Sequence, residues 1–153
     1  MKVSVITVCF NSVNTINKTI SSLNKQDYPH IEHIFIDGNS YDGTLSIIKS
    51  KSKPNFKLIS EPDNGIYDAM NKGIKIASGN IVAILNSDDV YTSDDIISKV
   101  IDNFKKTKCD ILYGNINYIN KKHKIVRTWN STHFQKGSFS KGWHPPHPSL
   151  FVK

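Results

Sequence analysis

Two adjacent carboxylates, Asp88 and Asp89, follow directly on a strand-like segment, residues 80–85, apolar from Ile81 to Leu85, and an Asn86-Ser87 turn. At such a point the chain leaves a sheet, and carboxylates project into the crevice there rather than into bulk water. Like charges so close repel unless something positive is shared. A hard divalent cation, Mn²⁺ or Mg²⁺, that keeps several waters and also binds substrate phosphates needs only one or two such ligands. The same letters also serve a turn cap, Asp88, and the approach to the next helix, Asp89. Asp37, with Asn39 and Ser40, offers an acceptor and short donors where a nucleoside could lie against a strand end, and Asx-turn chemistry before Asp42 explains that pattern without a ligand. Neither G-x-x-x-x-G-K-[ST] nor G-x-G-x-x-G occurs, so phosphates here would rest on a metal and basic side chains rather than on a glycine loop.

These residues need elements to hold them. Residues 3–9 are almost continuously apolar and β-branched, which predicts a strand buried on both faces. Asn14 is a candidate N-cap for a helix with Ile16, Ile20 and Leu23 inside, ended by Tyr28-Pro29. Residues 31–36 form a second strand, and Asp42 caps a helix carrying Leu45, Ile47 and Ile48. Residues 56–59 are a third strand. Ile66, Ala69, Met70, Gly73, Ile74 and Ala77 make one narrow helical stripe, with Gly79 as its stop. After the strand at 80–85, Ser93 caps a helix with Asp94 and Asp95 in its first turn and lysines at its end. Residues 111–119 and 124–129, joined through residues 120–123, read as a hairpin, and residues 131–142 as loop.

Strand and helix alternate through four rounds. The economical arrangement is an α/β three-layer sandwich, a mainly parallel sheet with helices on both faces and an antiparallel C-terminal addition. In such a sheet ligands gather at the carboxyl ends of the strands, and those four ends carry residues 10–12, 37–40, 61–64 and 86–89. The length of 153 residues allows one domain. Twenty Lys and Arg against 13 Asp and Glu give a net charge of +7, which suits nucleic acid, anionic lipid or a phosphorylated small molecule without choosing among them. No apolar run approaches the roughly 20 residues of a membrane span, and Cys9 and Cys109 show no metal or disulfide spacing.

Residues 3–12, 35–44 and 61–79, followed by Leu85-Asn-Ser-Asp-Asp89, resemble the family 2 glycosyltransferases of GT-A fold, and among them the bacterial exopolysaccharide, capsule and O-antigen types. The likeness runs from Val3 to about Asp95. It implies a nucleotide-diphosphate-sugar donor of UDP or GDP type, a divalent metal, Mn²⁺ or Mg²⁺, and inversion at the anomeric carbon. Position by position, it makes Asp89 a metal ligand and Asp88 a partner of the donor ribose or of metal waters. Residues 7–11, Thr7, Phe10 and Asn11 among them, would line the base and ribose pocket, with Asp37 and Asn39 near the nucleoside. Asp68, Asn71 and Lys72 would lie beside the diphosphate and sugar. One departure stands out: many members carry two adjacent acids where this chain has Asp37-Gly38.

On this resemblance residues 1–95 bind the nucleotide-sugar, and residues 110–153 begin the acceptor side of one catalytic domain. The general base of an inverting transfer is normally an Asp or Glu, and none occurs after Asp110. It is therefore expected beyond Lys153, in a chain that looks cut within its last strand-like run, 149–153. His144 and His147 are the nearby titratable groups, and a structural or acceptor-side role is expected for them. The acceptor would be a saccharide or lipid-linked, at the inner face of the cell membrane in the cytoplasm. The competing readings are a fragment that binds nucleotide and metal without turnover, and a sugar-phosphate nucleotidyltransferase, which would favour a basic glycine-rich loop that is missing. Nucleic-acid binding rests on charge alone and is not expected.

Overall fold

In the computed structural model every residue is described except His123, so that part of the expected hairpin connection lies outside the described residues. Four parallel strands form the centre: β1 (Val3–Cys9), β2 (Ile31–Asp37), β3 (Lys57–Ser60) and β4 (Ile81–Ile84). They alternate with α1 (Ile16–Asn24), α2 (Thr44–Lys51), α3 (Ile66–Ile76) and α4 (Ile96–Thr107). The chain goes on through β5 (Ile111–Tyr113), β6 (Ile116–Ile119), β7 (Ile125–Trp129) and β8 (Leu150–Val152). The six-stranded sheet has the order β3-β2-β1-β4-β8-β5, with β8 antiparallel to both neighbours, and β6 and β7 make a separate two-stranded sheet.

β1 is buried along its whole length because it has strands on both sides and helices on both faces. Its odd positions Val3, Val5 and Cys9 pack with Leu23 and Ile20 of α1, Ile48 of α2 and Ile97, Ile101 and Phe104 of α4. Its even positions Ile6 and Val8 face Ala69 and Met70 of α3, with Ile34 and Ile36 of β2. Gly73 lets α3 come close, since a Cβ there would collide with the Ile6 side chain.

Several expected boundaries shift. Thr15, not Asn14, precedes α1, and its first turn is closed by the Ser12 carbonyl. Asp95 rather than Ser93 precedes α4, the Ser93 hydroxyl donating to Asp95 instead of capping the helix. α3 ends at Ile76, and Gly79 serves a close approach: a Cβ would sit 2.6 Å from the Ser4 amide nitrogen. Ile66 and Ile74 stay about half exposed, so the buried stripe of α3 is Ala69, Met70 and Gly73. The expected strand 111–119 divides at Gly114, β5 joining the main sheet and β6 turning away to pair with β7. The 149–153 run enters the main sheet as β8, between β4 and β5.

Candidate active site at the strand carboxyl ends

β1 leads to α1 across one half of the sheet and β4 lies on its other side, so the crevice between the β1 and β4 ends is the switch point of the winding. The loops meet there. The hydroxyls of Ser12 and Ser87 are 2.9 Å apart, the Ser12 amide donates to Thr44 Oγ1 at 2.8 Å, and the Val13 amide donates to Asp42 Oδ2 at 3.0 Å. Gly43, not Asp42 as expected, is the N-cap residue of α2; Asp42, one residue earlier, accepts from the Thr44 amide at 3.0 Å and so ties the start of the helix to the β1 loop.

At the end of β2, Asp37 is fully buried. Its carboxylate accepts from the Ser40 amide at 2.9 Å, from the Ser40 hydroxyl and from the Ser60 hydroxyl at 2.7 Å. The Ser40 hydroxyl in turn receives the Asn11 amide at 2.8 Å, and Asn11 Oδ1 receives the Tyr41 amide at 3.1 Å. Asp37 thus holds loops together instead of facing the nucleoside as expected. Thr7 likewise is fully buried inside β1 with its hydroxyl 2.9 Å from His33 Nε2, instead of facing the base and ribose as expected. Phe10 and Asn39 do reach the rim, both exposed, and Asn11 is half-buried. Asn11 and Asn39 take left-handed backbone, φ 48° and 67°, which asparagine tolerates best after glycine.

The loop after β3 is organised by Lys72. Its ammonium lies 2.9 Å from Glu61 Oε1, 3.5 Å from Asp68 Oδ2 and 3.0 Å from the Pro62 carbonyl. The hydrogen bond to Glu61 raises Lys72 above its ordinary value, and the Asn64 amide holds Asp68 below the usual carboxylate range. Asn71 is exposed on the same helix. Lys72 and Asp68 are therefore engaged with the 61–64 loop.

After β4 the Asp89 backbone amide closes a turn on the Asn86 backbone carbonyl at 3.0 Å, and the Asn86 side-chain Nδ2 donates to Asp89 Oδ2 at 3.0 Å. Burial, and then the charge of Asp88, push the Asp89 carboxyl up from its ordinary value. Asn86 Oδ1 is buried without a hydrogen-bond partner. A cation at this turn would neutralise the crowded pair, so the donor set fits a divalent metal. Among the described residues no three His, Cys, Asp or Glu side chains converge on one point, so diphosphate and water would complete the shell.

Asn86, Asp88, Asp89, Tyr91, Tyr113 and His147 share the wall of a cleft of about 980 Å³ that runs between α4 and the β6–β7 sheet. His147 arrives there because β8 runs antiparallel to β4, which returns residues just before Leu150 to the β4 carboxyl end. His144 instead packs edge-on against Trp129. Sequence reading overlooked Ser12, Ser60 and Ser87, since single serines at strand ends carry no signal until their partners are known.

The chain is similar to known proteins in sequence and fold. An uncharacterized glycosyltransferase of Mycobacterium tuberculosis is 41% identical over 102 residues, covering 65% of this chain and 38% of its own length. The Escherichia coli UDP-Glc:alpha-D-GlcNAc-diphosphoundecaprenol beta-1,3-glucosyltransferase WfgD is 34% identical over 119 residues, 77% of this chain and 47% of its own. The crystal structure of S. aureus TarS 1-349 in complex with UDP-GlcNAc superposes with a TM-score of 0.72 at 28% identity, over 79% of this chain and 36% of that one. The chain thus spans less than half the length of these relatives, and its fold is that of the GT-A glycosyltransferases. The glycosyl transferase family 2 model matches residues 4–151, almost the whole chain, which belongs to that family.

Proposed function

We propose that this chain is the donor-binding portion of an enzyme that moves a sugar, with inversion, from a nucleotide-diphosphate-sugar to a saccharide or lipid-linked acceptor in bacterial polysaccharide synthesis. The observation that carries the reading is the Ser12–Ser87 contact, which joins the β1 loop to the Asp88-Asp89 turn across the switch point. Residues 1–95 would hold the donor, and residues 110–153 would begin the acceptor side. Support also comes from relatives: WfgD is a UDP-Glc glucosyltransferase, and TarS was crystallised with UDP-GlcNAc.

Asp89, with Asp88, would hold Mn²⁺ or Mg²⁺, which supplies Lewis-acid stabilisation of the departing diphosphate. Asp88 is exposed at the mouth of the turn and can reach the ribose or a bound water. Phe10 offers an exposed ring beside the β1 end for the base. Asn39 and Asn71 present free amides from the β2 loop and α3. Because all Asp and Glu lie at or before Asp110, the base that takes the acceptor proton is not a carboxylate of residues 111–153. No described helix is long and apolar enough to cross a membrane, and we place the work at the inner face of the cell membrane, where Lys121, Lys122 and Lys124 would meet anionic lipid.

A thermal-shift panel tests the reading. UDP or GDP, or their sugars, should raise the melting temperature only with Mn²⁺ or Mg²⁺ present, because a ligand of the folded state stabilises by mass action. Stabilisation by polynucleotide alone, with no response to any nucleoside diphosphate, would overturn it.

A further inference from the structure

Gly38 stands where many members of the family carry a second acid, and its surroundings explain the glycine. Its backbone is not in the left-handed region, so conformation does not demand glycine there. Space does: a Cβ on Gly38 would lie 2.8 Å from Asp63 Oδ2 and 3.4 Å from the Phe10 ring. The carboxylate of Asp63, from the loop after β3, therefore occupies the volume that a side chain at 38 would take. One of its oxygens, Oδ1, accepts the Gly65 amide at 2.9 Å, which fixes its direction. Among the described residues no donor lies within hydrogen-bond distance of the other, Oδ2.

Beside this free oxygen stand two aromatic rings. Phe10 is 59% exposed and Tyr41 85%, and they meet edge to face at 6.3 Å between centroids. The Tyr41 amide is held by Asn11, so the pair sits on a braced loop. Exposed rings next to a fixed acceptor make a platform for a flat heterocycle, stacked on one face and hydrogen-bonded at one edge. The chemistry of that edge selects the base. Guanine offers two adjacent donors, its ring N–H and its amino group, which a carboxylate takes best with both oxygens. Asp63 has one oxygen already engaged, which matches the single imide N–H of uracil. Cytosine presents an unprotonated ring nitrogen at that position and would meet the carboxylate lone pair to lone pair.

We infer that Asp63, whose carboxylate fills the space beside Gly38, reads the nucleobase, and that the base it accepts is uracil rather than guanine or cytosine. This rests on the nucleotide-sugar reading above and makes it specific: the donor is a uridine-diphosphate sugar.

The test is isothermal titration of the chain with UDP, GDP and CDP in the presence of Mn²⁺. UDP should bind more tightly than GDP and CDP. Asp63→Asn keeps the acceptor for the Gly65 amide and turns an amide group toward the imide N–H, so UDP affinity should fall about tenfold or more. The paired exchange Gly38→Asp with Asp63→Gly returns a carboxylate to the same volume from the neighbouring loop and should restore UDP binding to within about threefold of the parent. Equal UDP affinity for Asp63→Asn and parent would overturn the assignment of Asp63, and tighter binding of GDP than of UDP by the parent would overturn uracil. A parent that binds none of the three nucleotides overturns the nucleotide reading itself, a result separate from either.

Discussion

Ser12 and Ser87, on loops 75 residues apart in sequence, share one hydrogen bond of 2.9 Å at the point where the winding of the sheet reverses. Each serine is itself anchored. Ser12 receives no freedom from the loop because its amide is tied to Thr44, and Ser87 lies within the Asn86–Asp89 turn. On the proposed function a nucleotide lying along the strand ends would have its base near Phe10 and its diphosphate near Asp88 and Asp89, and this bond would set the distance between those two ends.

Asp89→Asn should abolish the stabilisation by Mn²⁺ with UDP while leaving the protein folded. Burial and the charge of Asp88 raise the Asp89 carboxyl, so its ionised form opposes folding at neutral pH. Asparagine removes that opposition, and the metal-free variant should melt no lower than the parent at pH 7. The Mn²⁺ affinity in the presence of UDP should drop at least about tenfold. Calorimetric titration and thermal melts read both; a retained metal response would remove Asp89 from the ligand set.

Asp37→Ala acts differently, because Asp37 accepts from the Ser40 amide, the Ser40 and Ser60 hydroxyls and the Cys9 thiol and is out of reach of solvent. Its loss leaves the Ser40 and Ser60 donors unpaired and should cost about 2 kcal/mol of stability. Nucleotide binding should weaken through a loosened 38–42 loop, while the need for metal stays. Denaturant unfolding monitored with nucleotide titration checks this. Unchanged stability would mean that the loop is held by other contacts.

The contrast between Asp37 and Asp63 shows what the sequence could and could not convey. Strand and helix order was legible because apolar runs and helical stripes are local, and the rim followed from the parallel topology. The position of Asp88 and Asp89 at the rim was legible for the same reason, as acids directly after a buried strand. The roles of Asp37, Thr7 and Asp63 were not, since they depend on pairing between strands: Thr7 on His33, Asp37 on Ser60, Gly38 on Asp63. The division of residues 111–119 was hidden too. It depends on β8, distant in sequence, taking the place beside β4 that a continuous hairpin would have left open.

Gly73→Ala tests how closely α3 must sit on the sheet. An added methyl would meet Ile6 of β1, with Ile36 of β2 at 3.3 Å, and neither buried side chain has room to retreat. Overpacking of this kind costs about 1–3 kcal/mol. Lifting α3 also moves Lys72 and Asp68 relative to the 61–64 loop, so nucleotide affinity should fall with stability. Melting at the parent temperature would show that the helix has slack against β1.

Acid should unfold the protein in two stages that belong to neighbouring residues of β2. Burial pushes His33 down to about 3, so the folded state keeps it neutral while the unfolded chain takes up a proton near 6.5. Stability from this group is lost as pH falls below about 6.5, by at most about 1.4 kcal/mol per pH unit. Glu32 adds a second loss. Burial alone would raise it, but hydrogen bonds from Ser4, Lys57, the Ser78 amide and Lys2 outweigh burial and hold it well below its ordinary 4.5. Its contribution is complete above 4.5 and disappears as pH falls below that value. Thermal melts from pH 7.5 to 3.5 should therefore steepen below about 4.5. His33→Gln, which can keep the Thr7 hydrogen bond, should flatten the upper part of the curve only, and Glu32→Gln the lower part only, lowering stability at pH 7 by about 2 kcal/mol. A parent curve flat between pH 6.5 and 4.5 would mean that His33 is protonated in the folded protein.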